Sequence, residues 1–337
     1  MATAHDDLPV GASVADRYTL SWEQKAVLEQ ADRFARERLH PLQARMDDEE
    51  WWPDGLMAEC AEYGFLGLTA PARYGGADMD IFSAMLVGQA FAKWNPAFAL
   101  SWGAHENLCL NNILRNGTEA QLEQWLPGLC SGERVGALGL TEPGAGSDAL
   151  EGMRTTARRD GDEWVLDGRK LYITNGPIAD VLLIYAKTDP AAGAQGISAF
   201  IVERGSPGFA VAQKLTKMGF RGSPTAELVF DGCRVPAENL LHVENEGVAV
   251  VMSGLDLERA LVAPLCVGMA ERALELSIDY ARERKQFGRP IASFQMIQAK
   301  LADMYTALES MRMLALSLIH ISEPTRQLAS SRMPSSA

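Results

Sequence analysis

The chain carries little that could staple, metallate or anchor it. Its five cysteines, Cys60, Cys109, Cys130, Cys233 and Cys266, are odd in number and far apart, and no CxxC pair occurs. This argues against a disulfide framework and for reduced thiols in a cytoplasmic compartment. The five histidines form no HExxH or HxxxH set, so no metal site is expected. No apolar run reaches the ~18 residues of a membrane span. Met1–Arg17 has no apolar h-region and places three Asp before its first Arg, unlike a secretory signal or an Arg-rich transit peptide. Positive charge is in deficit, with 31 Lys and Arg against 44 Asp and Glu and a net charge of −13. This argues against nucleic acid as the main partner, although a small polyanion could still meet a local basic patch. No GxGxxG opens a helix, which disfavours a Rossmann unit.

What the chain does have is helical periodicity at both ends and short apolar runs between. At 337 residues, 47% hydrophobic and 22% charged, it reads as a globular protein of two or three domains. Ser21 and Gln24 make a capping-box pair ahead of Val27, Leu28, Ala31, Phe34, Ala35 and Leu39. That spacing predicts an amphipathic helix stopping near Pro41. Further helices are expected from Trp52 to about Gly64, over 80–94 and 97–115, and from Thr118 to just before Pro127. Seven short runs follow, at 134–140, 154–160, 163–167, 181–187, 197–203, 209–213 and 226–231, separated by Gly, Asp and Pro. They predict an antiparallel barrel or sandwich. Helical periodicity returns over 247–284, where Pro264 should kink or split the helix, and from about Ser293 to Leu316.

The expected fold class is therefore α+β. A leader at 1–17 precedes an N-terminal α-helical domain at 18–131. An antiparallel β-barrel or sandwich follows at 132–240, then an incomplete C-terminal helical bundle at 241–316. The tail at 317–337, with six Ser and two Pro, reads as disordered and foreign to the rest.

Three strings carry the chemistry: LTEPGAGSD at 140–148, YITNG at 172–176 and GLDLER at 254–259. Alone, each also has a bland explanation: a Pro-Gly turn, a strand ending in an Asn-Gly turn, and charges that pair on a helix surface. In this order, together with RERKQFGRPIASFQ at 282–295, they resemble the acyl-CoA dehydrogenase family of flavoenzymes, and above all its isovaleryl-type members. The resemblance covers roughly residues 20–316.

The resemblance implies FAD as cofactor, with Leu138, Gly139, Leu140, Thr141, Gly146 and Ser147 on one side of the isoalloxazine ring and Tyr172, Ile173 and Thr174 on the other. Tyr172 stands where family members usually carry Trp, and keeps an aromatic face for stacking. Arg284, Phe287 and Gln295 would reach the adenosine and pyrophosphate of FAD on a neighbouring subunit. Ser147 would also bond the acyl-CoA substrate. Leu100 and Ala104 would leave room for a branched acyl chain, with ordinary helix core as the alternative. Ala249 replaces a usual Tyr and would widen the pocket. Glu258 would be the base, flanked by substrate contacts from Asp256, Leu257 and Arg259.

The implied reaction is α,β-dehydrogenation of a short branched acyl-CoA by a homotetramer, with electrons passed to an electron-transfer flavoprotein. The alternatives are a dehydrogenase or oxidase for another branched acyl-CoA, and a truncated, non-catalytic fragment. The last arises because family members continue with further helices beyond the point where the pattern stops here. Weak or absent activity is expected of the chain for that reason.

Overall fold

The computed structural model describes residues 20–330, apart from the side chains of Asp256, Leu257 and residues 318–330. The expected leader lies outside the described residues. Ser21 caps helix α1 (Trp22–Phe34) through a complete capping box with Gln24. The helical path does not stop near Pro41. It passes through a π-helical turn, Ala35–Leu39, into α2 (His40–Glu49). Pro41 lies in the first turn of α2, where a missing N–H costs nothing because that donor would be orphaned anyway.

Helices α3 (Leu56–Glu62), α4 (Ile81–Trp94) and α5 (Pro96–Gly103) close around an aromatic core. Phe65 meets Phe91 edge-on at 5.5 Å, and Phe91 meets Trp102 at 5.4 Å. A second π-helical turn, Ala104–Leu110, joins α5 to α6 (Asn111–Asn116). Thr118 then caps α7 (Glu119–Cys130), which runs through Pro127 instead of ending before it. Leu126, Leu129 and Cys130 are buried on both sides of that proline, and their burial outweighs one lost hydrogen bond.

The middle region is one eight-stranded sheet. Its strands are β1 (Gly136–Gly139), β2 (Thr156–Asp160), β3 (Glu163–Thr174), β4 (Val181–Lys187), β5 (Ile197–Glu203), β6 (Phe209–Lys214), β7 (Thr225–Pro236) and β8 (Leu240–Leu241). Most neighbours are antiparallel, as expected, but β1 and β2 each pair with β4 in parallel. The β2–β3 hairpin comes between β1 and β4 in the chain, and this long crossover lets the two strands run the same way.

Strand β4 is buried along its whole length. Val181, Leu183 and Tyr185 face a core shared with α6, α7 and the start of the next helix. Leu182, Ile184 and Ala186 face a second core with Trp164, Leu166, Phe200 and Leu228. This is the period of two expected of a strand covered on both faces.

Helix α8 (Gly247–Glu283) runs for 37 residues without a split at Pro264. Leu265 packs on the N-terminal helical core, and Val267 and Leu274 pack on the last helix. Contacts on both sides of the proline hold the helix through it, against a cost of ~3 kcal/mol. A small hairpin, β9 (Lys285–Gln286) with β10 (Arg289–Pro290), leads to α9 (Gln295–Ser330). The backbone of α9 thus passes Leu316, where the sequence pattern predicts that order ends. Residues 331–337 lie outside the described residues.

Candidate active site

The LTEPGAGSD loop leaves β1 and folds back on itself at once. Glu142 and Ala145 exchange both backbone hydrogen bonds, at 3.0 and 3.1 Å, across the Pro143-Gly144 turn. The amide of Leu171 in β3 donates to the carbonyl of Thr141 at 2.9 Å, which brings this loop against the YITNG strand. There the pairing of β3 with β7 slips between Lys170 and Ile173. The resulting β-bulge carries Tyr172 at φ 61°, a conformation costly for a bulky residue and worth reading as a functional signal. Tyr172 is 67% exposed.

Around this junction the predicted cofactor residues divide. Thr141 and Thr174 are half-buried, and Gly146 and Ser147 are exposed. Leu138 and Leu140 pack partly against the β4 core. The side chain of Ile173 belongs to the core inside the sheet, so its backbone is the part that can face a ligand. Gly139 is also filled in, since a Cβ there would meet Ile184 at 2.6 Å and the Lys170 stem at 3.3 Å. By contrast, Gly144 and Gly146 would each project a Cβ into open space. The fold itself does not require glycine at either position, and their bare backbone leaves room for a flat ring beside Thr141 and Tyr172. The residues present fit FAD on that ground.

Two residues that matter here escape the motif reading. Lys170, fully buried, donates to Glu142 Oε1 at 2.8 Å and to the Leu140 carbonyl at 3.2 Å. Glu142 also accepts from the amides of Arg154 at 2.7 Å and Thr155 at 3.0 Å. Burial pushes Lys170 down to about 8. Burial pushes Glu142 up, but the Lys170 charge and these hydrogen bonds outweigh it and hold the carboxyl below its usual value. One signal was available: Lys170 shares strand parity with Trp164 and Leu166, which point inward. Asn175 of YITNG is likewise buried, donating to the carbonyls of Ser101 at 2.8 Å and Gly136 at 3.1 Å. It staples α5 to β1.

Glu258 lies on the inward face of α8. Val251 and Leu255, seven and three residues before it, pack into the β4 core. Leu261, three residues after it, packs with Ile81 and Met85 of α4. The carboxyl of Glu258 is half-buried between those cores. Burial raises it above the ordinary carboxylate range, opposed by the charge of Arg259. It also lies within electrostatic reach of Tyr185, whose hydroxyl is buried without a hydrogen-bond partner among the described residues. Arg259 is exposed, as is Ala249. Asp256 and Leu257 lie on α8, but their side chains fall outside the described residues.

Helix α8 packs against α4 and against the π-helical turn that begins at Ala104. Ala104 is buried and Leu100 half-buried. The turn contains two further buried polar residues. His105 accepts from the Gly136 amide at 2.9 Å and donates to the Leu129 carbonyl at 3.0 Å, and burial pushes it down to about 4. Glu106 accepts from the amides of Gly67 at 2.9 Å and Leu68 at 2.6 Å, and burial pushes it up to about 7.

Arg284, Phe287 and Gln295 stand apart, exposed just before, on and just after the β9–β10 hairpin respectively. Phe287 is 94% exposed, with φ 51°.

The chain is 47% identical over 286 residues to an isovaleryl-CoA dehydrogenase of Arabidopsis thaliana, covering 84% of this chain and 70% of that protein. It is 45% identical over 291 residues to a 2-methylacyl-CoA dehydrogenase of Solanum tuberosum, covering 86% and 70%. Its fold superposes on the butyryl-CoA dehydrogenase of Megasphaera elsdenii with a TM-score of 0.86 at 39% identity, covering 89% and 79%. Models of the acyl-CoA dehydrogenase N-terminal, middle and C-terminal domains match residues 21–133, 137–233 and 245–331 in turn. With all three domains in order along one chain, the protein belongs to the acyl-CoA dehydrogenase family and is an oxidoreductase.

Proposed function

We propose that the chain catalyses FAD-dependent α,β-dehydrogenation of a short branched-chain acyl-CoA, with Glu258 as the base that removes the α-proton. The observation that carries this is Glu258 itself: an acidic side chain on the inward face of α8, half-buried between two apolar cores and raised by that burial. The α-proton of a thioester is weakly acidic. A base raised toward the working pH transfers it more readily than an ordinary surface carboxylate.

FAD, when bound, would supply the acceptor for the β-hydrogen as hydride. The chain's part is to hold the reactants and the proton. Thr141, Ser147, Tyr172 and Thr174 border the cofactor, with bare backbone at Gly144 and Gly146. Ser147 also bonds the substrate. As the α-proton moves to Glu258, charge grows on the thioester oxygen and favours any donor aimed there. Leu100 and Ala104 shape the acyl end, and Asp256, Leu257 and Arg259 flank it from α8. Arg284, Phe287 and Gln295, exposed on and beside the hairpin, face FAD in a second copy of the chain within a homo-oligomer. Electrons leave to an electron-transfer flavoprotein.

The 2-methylacyl-CoA relative supports a second reading, in which the branch lies at the α-carbon instead of the β-carbon. The test is to purify the chain, look for a flavin band near ~450 nm, and add isovaleryl-CoA and 2-methylbutyryl-CoA in separate runs. Bleaching by one thioester identifies the branch. A colourless protein that neither takes up FAD nor reduces a dye acceptor overturns the proposal.

A further inference from the structure

The buried ion pair Glu142–Lys170 is unusual in what it joins. Lys170 Nζ holds Glu142 and the Leu140 carbonyl, and Glu142 in turn holds the amides of Arg154 and Thr155. Three separated stretches of chain, at 140–142, 154–155 and 170–171, therefore meet at two side chains. Gly139 leaves the passage through which the Lys170 stem reaches this point.

A pair buried this deeply adds little stability on its own, because removing both charges from water offsets most of their attraction; an apolar pair of equal volume often does as well. Its placement suggests another use. Glu142 directly follows Thr141, and Lys170 lies two residues before the strained Tyr172. A strained backbone persists only where its surroundings over-determine it.

On the reading above that this loop borders FAD, we propose that Glu142–Lys170 is a positioning pair. It fixes the Leu140–Ser147 loop against the Tyr172 bulge so that both edges of the flavin site keep one mutual geometry. Neither side chain touches substrate. They act through Thr141 and Tyr172, from behind the surface that meets the cofactor. A site held a fraction of an ångström loose binds its ligand less well, and such supporting contacts set that tolerance.

The experiment uses the full chain with Glu142→Gln, Lys170→Met and the two together. Three quantities are measured on each: melting temperature without FAD, FAD affinity by quenching of flavin fluorescence, and the visible spectrum of the bound flavin. Each single change strands one partner, so melting temperature and FAD affinity should both fall. In the double variant no charge is stranded, so the melting temperature should return toward that of the unmodified chain. FAD should still bind on the order of tenfold more weakly, as when an outer-shell partner of a binding site is lost, and the visible bands should stay shifted. If affinity recovers along with melting temperature, the pair is only a fold anchor and the proposal falls. Should Lys170→Met not fold, Glu142→Gln decides alone: unchanged FAD affinity and spectrum overturn the proposal. If the unmodified chain takes no FAD, the cofactor assignment fails first, and that outcome is distinct from tight binding by every variant.

Discussion

Glu142 in the β region and Glu258 on α8 are both acidic, both withdrawn from water, and end in opposite states. Glu142 meets a buried ammonium and two backbone amides and is held below its usual range. Glu258 meets two apolar cores and one arginine charge, and is raised. Burial alone pushes both carboxyls upward, so the difference lies in what each region supplies afterwards. A fully satisfied carboxylate is fixed in charge and geometry and serves as framework. An under-satisfied one can change its proton, which a base must do. Glu106 is an intermediate case: two amides hold it, yet burial still raises it to about 7.

If that contrast is right, Glu258→Gln should give the largest effect. It keeps the size and polarity of the side chain but cannot accept the α-proton. Turnover should fall by ~10²–10⁴, the span of general-base catalysis, while the flavin spectrum is retained. Stopped-flow reduction of the bound flavin measures this directly, and near-normal turnover would remove Glu258 from the mechanism. The pH dependence sharpens the test. A raised base loses activity as pH falls, with a midpoint above the ordinary 4.5 of a carboxylate. A kcat/KM profile flat down to pH 4.5 would contradict the environment described for Glu258.

Glu106 should act on stability instead of turnover. Its folded value near 7 lies above the ordinary 4.5, so the folded state holds the proton more tightly. Stability from this group is then fully present below about pH 4.5 and is lost as pH rises through 7. The gap is worth about 3 kcal/mol at 1.36 kcal/mol per pH unit. Melting temperature should therefore drop between pH 5 and pH 8 by more in the unmodified chain than in Glu106→Gln. Equal drops in the two would show that Glu106 carries no such linkage.

Most of the layer order was legible in the sequence, because period and capping are local. The Ser21–Gln24 box, the seven strand runs and the helical period of 247–284 are each written in local spacing. The prolines misled because their cost depends on context: Pro41 falls in the first turn of α2, and Pro127 and Pro264 lie inside helices held by buried contacts on both sides. The site was half legible. LTEPGAGSD and YITNG are contiguous strings, but the contact between Glu142 and Lys170 spans 28 residues and depends on a bulge that no local pattern announces. The same bulge turns Tyr172 outward and leaves the side chain of Ile173 in the core. Where the chemistry depends on which side chains meet across the sheet, local spacing carries little of it.

Ala104→Phe should have a smaller effect than either carboxylate change. Ala104 is buried at the start of the π-helical turn facing α8, and overpacking such a site costs ~1–3 kcal/mol. If the acyl branch lies beside it, kcat/KM for isovaleryl-CoA should fall more than for butyryl-CoA, beyond any loss of melting temperature, which penalises both substrates alike. An equal loss on the two substrates would place Ala104 in the helix core alone.

Tyr172→Asn should give the smallest effect, with two opposite signs. The left-handed backbone at φ 61° costs a bulky residue ~1–2 kcal/mol, and Asn tolerates that region. Because Tyr172 is 67% exposed, few contacts are lost with its side chain. Without FAD, the variant should therefore be more stable than the unmodified chain by about 1 kcal/mol. With FAD it should bind more weakly, since an aromatic face is gone from the cofactor side. Thermal melts of the FAD-free and FAD-loaded protein separate the two. Relief of strain together with a loss of affinity would show that the β region stores strain for binding, as α8 stores an under-satisfied carboxyl for proton transfer. A variant less stable in both states would mean that the Tyr172 conformation serves the fold.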